Sequence, residues 1–289
     1  MHVPVQLEES LAFLGLRAGG VFLDTTCGMG GHAGEMARRL AKFDPPGRLM
    51  ACDRDAESLE QARANLAGCT NVSFHTALFS QVGETLAAEG IAQLDGLLAD
   101  LGMSSYQLAE RERGFSFASE GPLDMRMSRS RGQTAADVVN YESEKALADL
   151  IYEFGEERRS RRISRAIVRA RPITTTGQLA KLIELAVPRT GKLHPATQTF
   201  MALRIAVNEE MEELDALLES LPKVVKPGGR VVIISFHSLE DRKVKRRFQE
   251  LAKEGRAQIL TRHVVRPSEA EERGNPASRS AKLRAVQIL

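Results

Sequence analysis

In the N-terminal third of the chain, short apolar runs alternate with stretches of helical period. The runs at 21–23, 48–52, 72–75 and 94–99 have strand length, and between them apolar positions recur at helical spacing over 31–40, 56–66 and 80–89. Strand, helix, strand in that order predicts a parallel sheet with helices on both faces. The alternation resumes late in the chain. Pro227, Gly228 and Gly229 mark a turn before the apolar run RVVIISF at 230–236, the helical stretch SLEDRKVKRRFQELAKEG follows, and β-rich stretches lie at 258–265 and 283–289.

Between the two halves no run has comparable strand character. SEKALADLIYEFG places Leu147, Leu150, Ile151 and Phe154 on one helical face and stops at Gly155. TTGQLAKLIELAV opens with Thr175 at capping-box spacing from Gln178 and aligns Leu179, Leu182, Ile183 and Ala186. The expected organisation is an α/β domain from 1–103 and 198–289, interrupted by an inserted helical domain at 104–197 that is a candidate for substrate recognition. The polar stretch RPSEAEERGNPASRSAK reads as a loop.

Composition narrows the picture only slightly. The chain has 289 residues, with 40 Lys and Arg against 38 Asp and Glu, so any basic surface must be local. Its 3 cysteines, Cys27, Cys52 and Cys69, are too far apart for a CxxC pair, which favours free thiols in a reducing compartment. The histidines are scattered and offer no metal-ligand cluster, and no apolar run reaches membrane-spanning length. These features lead us to expect a soluble, cytoplasmic protein without a metal.

The chemistry concentrates at VFLDTTCGMGGHAGEMARRL, residues 21–40. An apolar run closing on Asp24, then glycines, then a helix start is how a nucleotide-like ligand is held at the carboxyl edge of a parallel sheet. The pattern alone is weak, and a tight turn without a ligand gives the same spacing. The second strand strengthens it, because CDRD places Asp53 where a carboxylate can accept both hydroxyls of a ribose. NAD and S-adenosylmethionine both fit at this point. The fourth strand runs into ADLGMSSYQL, which resembles the acidic or polar strand-four loop of class I methyltransferases, and LPKVVKPGGRVVIISF resembles the helix, Pro-Gly-Gly turn and fifth strand of the same superfamily. Together these favour a methyl donor.

Long stretches then carry a specific resemblance: HVPV at His2, GMGGH at Gly28, CDRD, DLGMSSYQL, RGFSF at Arg113, GPLDMRM at Gly121, HPATQTFMALRIAVNEE at His194, SFHSLEDRKVK at Ser235 and NPASRSAKLRA at Asn275. They run from end to end, and the sequence resembles the RsmH (MraW) family of bacterial methyltransferases. The resemblance implies a class I S-adenosylmethionine-dependent methyltransferase fold, Rossmann-like, with an inserted all-helical domain. It also implies methylation of N4 of a cytidine in the decoding region of 16S ribosomal RNA, naked or within the small subunit, and it leaves self-association open. Thr25, Ala33 and Tyr106 depart from the family's usual residues.

Carried over by resemblance, the cofactor contacts are Gly30, Gly31, His32, Asp53, Phe79, Asp100 and Gln107. Phe79 serves equally as core packing, and His32 as a helix-start histidine. Methyl transfer from a sulfonium needs a nucleophile held in line, and the cytosine amine reacts better when an acceptor bonds one of its N–H groups. Candidates for that acceptor, or for taking up the proton, are Asp100, Ser104 and His237. RNA binding needs local positive charge, and in EERRSRRISRAIVRAR the residues Arg158, Arg162, Arg165 and Arg169 recur at helical spacing opposite Ile163, Ala166, Ile167 and Ala170. Pairing with Glu153, Glu156 and Glu157 would make the same stripe an ordinary solvated face. The basic run at 241–247 extends the candidate surface. A DNA cytosine-N4 or adenine-N6 enzyme would carry a different loop after the fourth strand, where this chain has Asp100-Leu-Gly-Met. A non-catalytic RNA-binding protein is the other alternative.

Overall fold

The structure is a computed structural model that describes residues 4–189, 191 and 193–289. His2 and Val3 of the HVPV stretch lie outside the described residues. The elements run α1 (Leu7–Leu14), β1 (Val21–Asp24), α2 (Gly31–Leu40), β2 (Arg48–Asp53), α3 (Ala56–Asn65), β3 (Val72–Thr76), α4 (Val82–Ala88) and β4 (Leu94–Asp100). Then come α5 (Ser105–Ala109), α6 (Ala135–Tyr141), α7 (Glu144–Gly155), α8 (Ser160–Ala170), α9 (Thr176–Ala186) and α10 (Thr197–Val207). The chain closes with α11 (Glu210–Val224), β5 (Val225–Ser235), α12 (Ser238–Lys253), β6 (Ala257–Ile259), α13 (Glu269–Gly274) and β7 (Lys282–Ile288). Two compact units result: Met1–Gly102 with Glu212–Leu289, and Met103–Met211.

In the first unit the strands form one sheet in the order β3-β2-β1-β4-β5-β7-β6. The first five are parallel, and β7 runs antiparallel to both β5 and β6. Strand residues alternate between two cores. Leu23, Leu97 and Val231 are register neighbours on β1, β4 and β5 and enter one core, while Phe22, Leu98 and Val232 enter the other. Burial on both faces requires apolar runs, not alternation, and this is why the strands were visible as such. The chain turns back between β1 and β4, and the carboxyl edge beside such a reversal is where open parallel sheets bind ligands. This is the expected mostly parallel Rossmann-like arrangement.

The polar stretch expected to be a loop carries α13 and a short turn at Pro276–Ser280, and two further details differ from expectation. Strand β5 begins at Val225, and the Pro-Gly-Gly residues lie within it. The register jumps from Leu94↔Val225 to Gly96↔Arg230, with Gly228 at φ 81°, so the expected turn is an irregularity of the strand. The β-rich stretch at 258–265 is shorter than its composition suggests. Only Ala257–Ile259 forms a strand, and Val265 makes a single bridge to Leu283.

The second unit has its own core, in which Leu147 and Ile151 of α7, Ile163 and Ile167 of α8, Leu179 and Ile183 of α9, and Phe200 and Leu203 of α10 pack together. Here α10 decides the extent of the unit. Phe200 also meets the Phe117 ring edge-on at 4.9 Å, so the helical part continues to Met211, and the return expected at 198 is displaced to 212. Thr175 and Gln178 form the expected capping box at the start of α9. The GPLDMRM stretch is tied down by buried groups. Asn208 accepts from the Met127 N–H at 2.7 Å and donates to the Met125 carbonyl at 2.7 Å, and the Arg113 guanidinium donates to the Met127 carbonyl at 2.7 Å.

Candidate active site

Three carboxylates close three adjacent strands: Asp53 ends β2, Asp24 ends β1 and Asp100 ends β4. The glycine loop fills the gap between the first two. Cys27 N–H donates to the Cys52 carbonyl at 2.8 Å, and Gly28 N–H donates to Asp53 Oδ2 at 2.7 Å. Gly30 sits at φ 89° as the N-cap of α2 and has no side chain with which to cap it. A side chain there would be strained by the backbone and would meet Leu66 Cδ1 at 3.1 Å, and at Gly31 it would meet Pro4 Cγ at 2.8 Å. These glycines therefore allow close packing as well as an open loop.

Burial governs the electrostatics. Asp24 is almost fully buried. Its Oδ1 accepts from Thr26 N–H at 3.0 Å, while Oδ2 has no hydrogen-bond partner among the described residues. Burial, reinforced by the Asp53 charge, pushes its carboxyl up to about 7. Asp53 rises to about 6 for the same first reason, opposed by N–H groups of Asp55 and Gly28. Asp100 is held well above the usual carboxylate range by burial, then by the charges of Asp24, Glu240 and Glu271. Its Oδ1 is also buried without a hydrogen-bond partner among the described residues. Thr26 ties the edge together, because its hydroxyl accepts from the Asp100 N–H at 2.6 Å.

His32 lies among these groups. Its Nε2 is 2.9 Å from the Val5 carbonyl, and its Nδ1 is 3.7 Å from Asp100 Oδ2. On the neighbouring strand end, His237 precedes α12, with Nε2 2.9 Å from Glu240 Oε1. Phe79 opens a short turn after β3 and packs, partly buried, against one core of the sheet. Gly30, Gly31, His32, Asp53, Phe79, Asp100 and His237 thus all belong to the first unit.

Ser104 and Gln107 belong to the second unit, where they cap α5 reciprocally. Ser104 N–H donates to Gln107 Oε1 at 3.0 Å, and Gln107 N–H donates to Ser104 Oγ at 3.2 Å. Arg162, Arg165 and Arg169 are exposed on α8, with Arg158 exposed just before it and Ile163 and Ile167 buried behind. Of the acids considered as partners, Glu157 is buried and holds Arg159 at 3.0 Å. Arg165 instead has Glu144 at 3.5 Å.

Two functional candidates went unread in the sequence, Thr26 as the link between strand ends and Glu240, and for Asp24 the strand-end position was read but not its burial. The signal available was modest, a polar residue within a few positions of the end of an apolar run.

Two buried carboxylate oxygens without hydrogen-bond partners among the described residues, beside a glycine loop and a helix N-terminus, fit a ligand that combines positive charge with hydroxyl groups. Comparison with known proteins agrees. Residues 1–289 match the MraW methylase family. The chain belongs to that family.

This MraW methylase is 55% identical over 289 residues to a Solibacter usitatus protein named ribosomal RNA small subunit methyltransferase H, covering 100% of both chains. An Acidobacterium capsulatum protein of the same name is 50% identical over 296 residues, with 99% and 98% covered. A solved rRNA methylase from Streptococcus thermophilus shares 10% identity at a TM-score of 0.48, with 100% and 99% covered. The chain is a methyltransferase, and the S-adenosylmethionine-dependent class expected from its sequence agrees with the family. The nicotinamide reading of the glycine loop falls away. No helix of the described residues is long and apolar enough to cross a membrane, and among them no group of His, Cys, Asp or Glu could hold a metal ion.

Proposed function

We propose that this methylase transfers a methyl group from S-adenosylmethionine to N4 of a cytidine in the decoding region of 16S ribosomal RNA, in the bacterial cytoplasm. The observation that carries the reading is the edge formed by Asp53, Asp24 and Asp100, where two buried carboxylate oxygens lack hydrogen-bond partners among the described residues. The small-subunit ribosomal RNA in the relatives' names supports the substrate class.

When bound, S-adenosylmethionine supplies a methyl carbon on a positively charged sulfur. The residues of this chain hold and orient it. Backbone at Gly30 and Gly31 borders the amino-acid part, Asp53 accepts from the ribose hydroxyls, Phe79 lies against the adenine, and His32, Asp100 and Gln107 complete the contacts. A nearby positive charge favours ionised over protonated Asp100, which then becomes a hydrogen-bond acceptor. An ionised Asp100 bonding one N4–H draws the amine lone pair out of conjugation, with Ser104 as the alternative acceptor and His237 taking up the proton. In the second unit the Arg158, Arg162, Arg165 and Arg169 stripe binds phosphates.

The test is to incubate the protein with labelled donor and either unmodified 30S particles or stripped 16S RNA, then identify the methylated nucleoside by mass spectrometry. N4-methylcytidine is expected. Label on another base or another position of cytosine overturns the assignment, and binding without transfer would make this an RNA-binding protein.

A further inference from the structure

Glu240 is a buried acid that the mechanism above leaves unused. It lies on the first turn of α12, is 2% exposed, and reaches back to the strand end. Its Oε2 accepts from the Phe236 N–H at 2.9 Å and from the His237 N–H at 3.3 Å. Its Oε1 is 2.9 Å from Nε2 of the His237 ring. One carboxylate thus holds the backbone of this histidine and lies against its ring. Both ring nitrogens are buried, and among the described residues neither makes an aligned hydrogen bond, so Nε2 meets the carboxylate at ion-pair distance while Nδ1 faces no charged group that close. Strand register places this histidine beside the β4 edge, since Asp100 pairs with Ile234 and Leu101 N–H donates to the Ile234 carbonyl at 2.9 Å.

We propose that Glu240 is the positioning residue of His237, holding the ring with its proton on Nε2 so that Nδ1 is the acceptor for the amine proton. A carboxylate against one ring nitrogen selects the tautomer that protonates that nitrogen and stabilises the imidazolium formed later. The step balances. As the N4–carbon bond forms and the carbon–sulfur bond breaks with its pair left on sulfur, one N4 proton passes to Nδ1, and the resulting imidazolium faces the Glu240 carboxylate. The catalytic part of this inference rests on the cytidine reading above, whereas the tautomer does not.

Glu240→Gln separates the roles. The amide oxygen can still accept from Phe236 and His237, but an NH2 group replaces the acceptor at Nε2, which favours the opposite tautomer. Ring 15N spectra of the resting enzyme, with the His237 signal identified by its loss in His237→Gln, should show the Nε2–H form in the wild type and a shift toward Nδ1–H in Glu240→Gln. In steady-state methylation, kcat of Glu240→Gln should fall about 100-fold with KM for donor and RNA unchanged. The double variant should be no slower than His237→Gln alone. A wild-type ring in the Nδ1–H form overturns the proposal whatever the substrate. So does a loss of rate that adds to that of His237→Gln. If no cytidine is methylated, the cytidine reading fails, and the spectra still decide the positioning.

Discussion

Replacing Asp24 by Asn should change how stability depends on pH. The Asp24 carboxyl titrates at about 7 in the folded protein against an ordinary 3.8, because burial penalises its charge. Between those values the native state binds more protons than the unfolded chain, so stability falls as pH rises through the window and levels off above about 7. At about 1.4 kcal/mol per pH unit, this one group costs the native state on the order of 4 kcal/mol by pH 8. Asn cannot ionise, and its amide oxygen can still accept from Thr26. Its NH2, however, takes the place of an oxygen with no partner and carries a pH-independent penalty of about 1–3 kcal/mol. The variant should therefore be less stable than wild type near pH 4 and overtake it near pH 8. Urea unfolding followed by far-UV circular dichroism reads both units, whereas tyrosine fluorescence reports the second alone, because Tyr106, Tyr141 and Tyr152 all lie there and the chain has no Trp. Parallel pH curves for the two proteins would refute the argument that a buried, ionisable Asp24 strains the sheet edge.

Three other outcomes are open to direct measurement. Asp53→Ala should weaken S-adenosylmethionine binding by about 1.5–3 kcal/mol in calorimetry, the loss of charge-assisted hydrogen bonds, and wild-type affinity would remove Asp53 from the site. Arg162→Ala with Arg169→Ala should flatten the slope of log affinity for RNA against log salt by about 1.5 while leaving donor affinity unchanged, and an unaltered slope would take the stripe out of the RNA surface. Gly30→Ala should lower stability by about 1–3 kcal/mol, because the backbone sits at φ 89° and the added Cβ presses on Leu66 at 3.1 Å; a neutral result in urea titration would show that the loop relaxes.

The parallel strands were legible because both of their faces are buried, so the apolar runs are continuous and the residue after each run stands at the carboxyl edge. That made Asp53 and Asp100 readable as site residues. Asp24 stands in the same position on β1, but its importance lies in an oxygen left without a partner, and no spacing encodes that. Glu240 was hidden for a similar reason. In SLEDRKVKRR it reads as the first acid of a basic helix, and only the fold turns it back toward Phe236 and His237. The extent of the helical unit was misjudged because HPATQTFMALRIAVNEE resembles any amphipathic helix. Which core receives Phe200 and Leu203 is a tertiary fact. Ser104 and Gln107 stood at capping-box spacing, and the cap is what they form.

Strand β4 finds its parallel neighbour β5 only after the entire helical unit has been threaded between them. During synthesis that unit is a continuous segment able to collapse by itself, whereas the sheet must wait with β4 unpaired on one side. His237 and Glu240 join the acids of the N-terminal strands only when the last part of the chain has emerged. A nascent copy therefore holds a finished helical part well before it holds a competent catalytic edge, and truncation upstream of β5 should leave that helical part without methylating power.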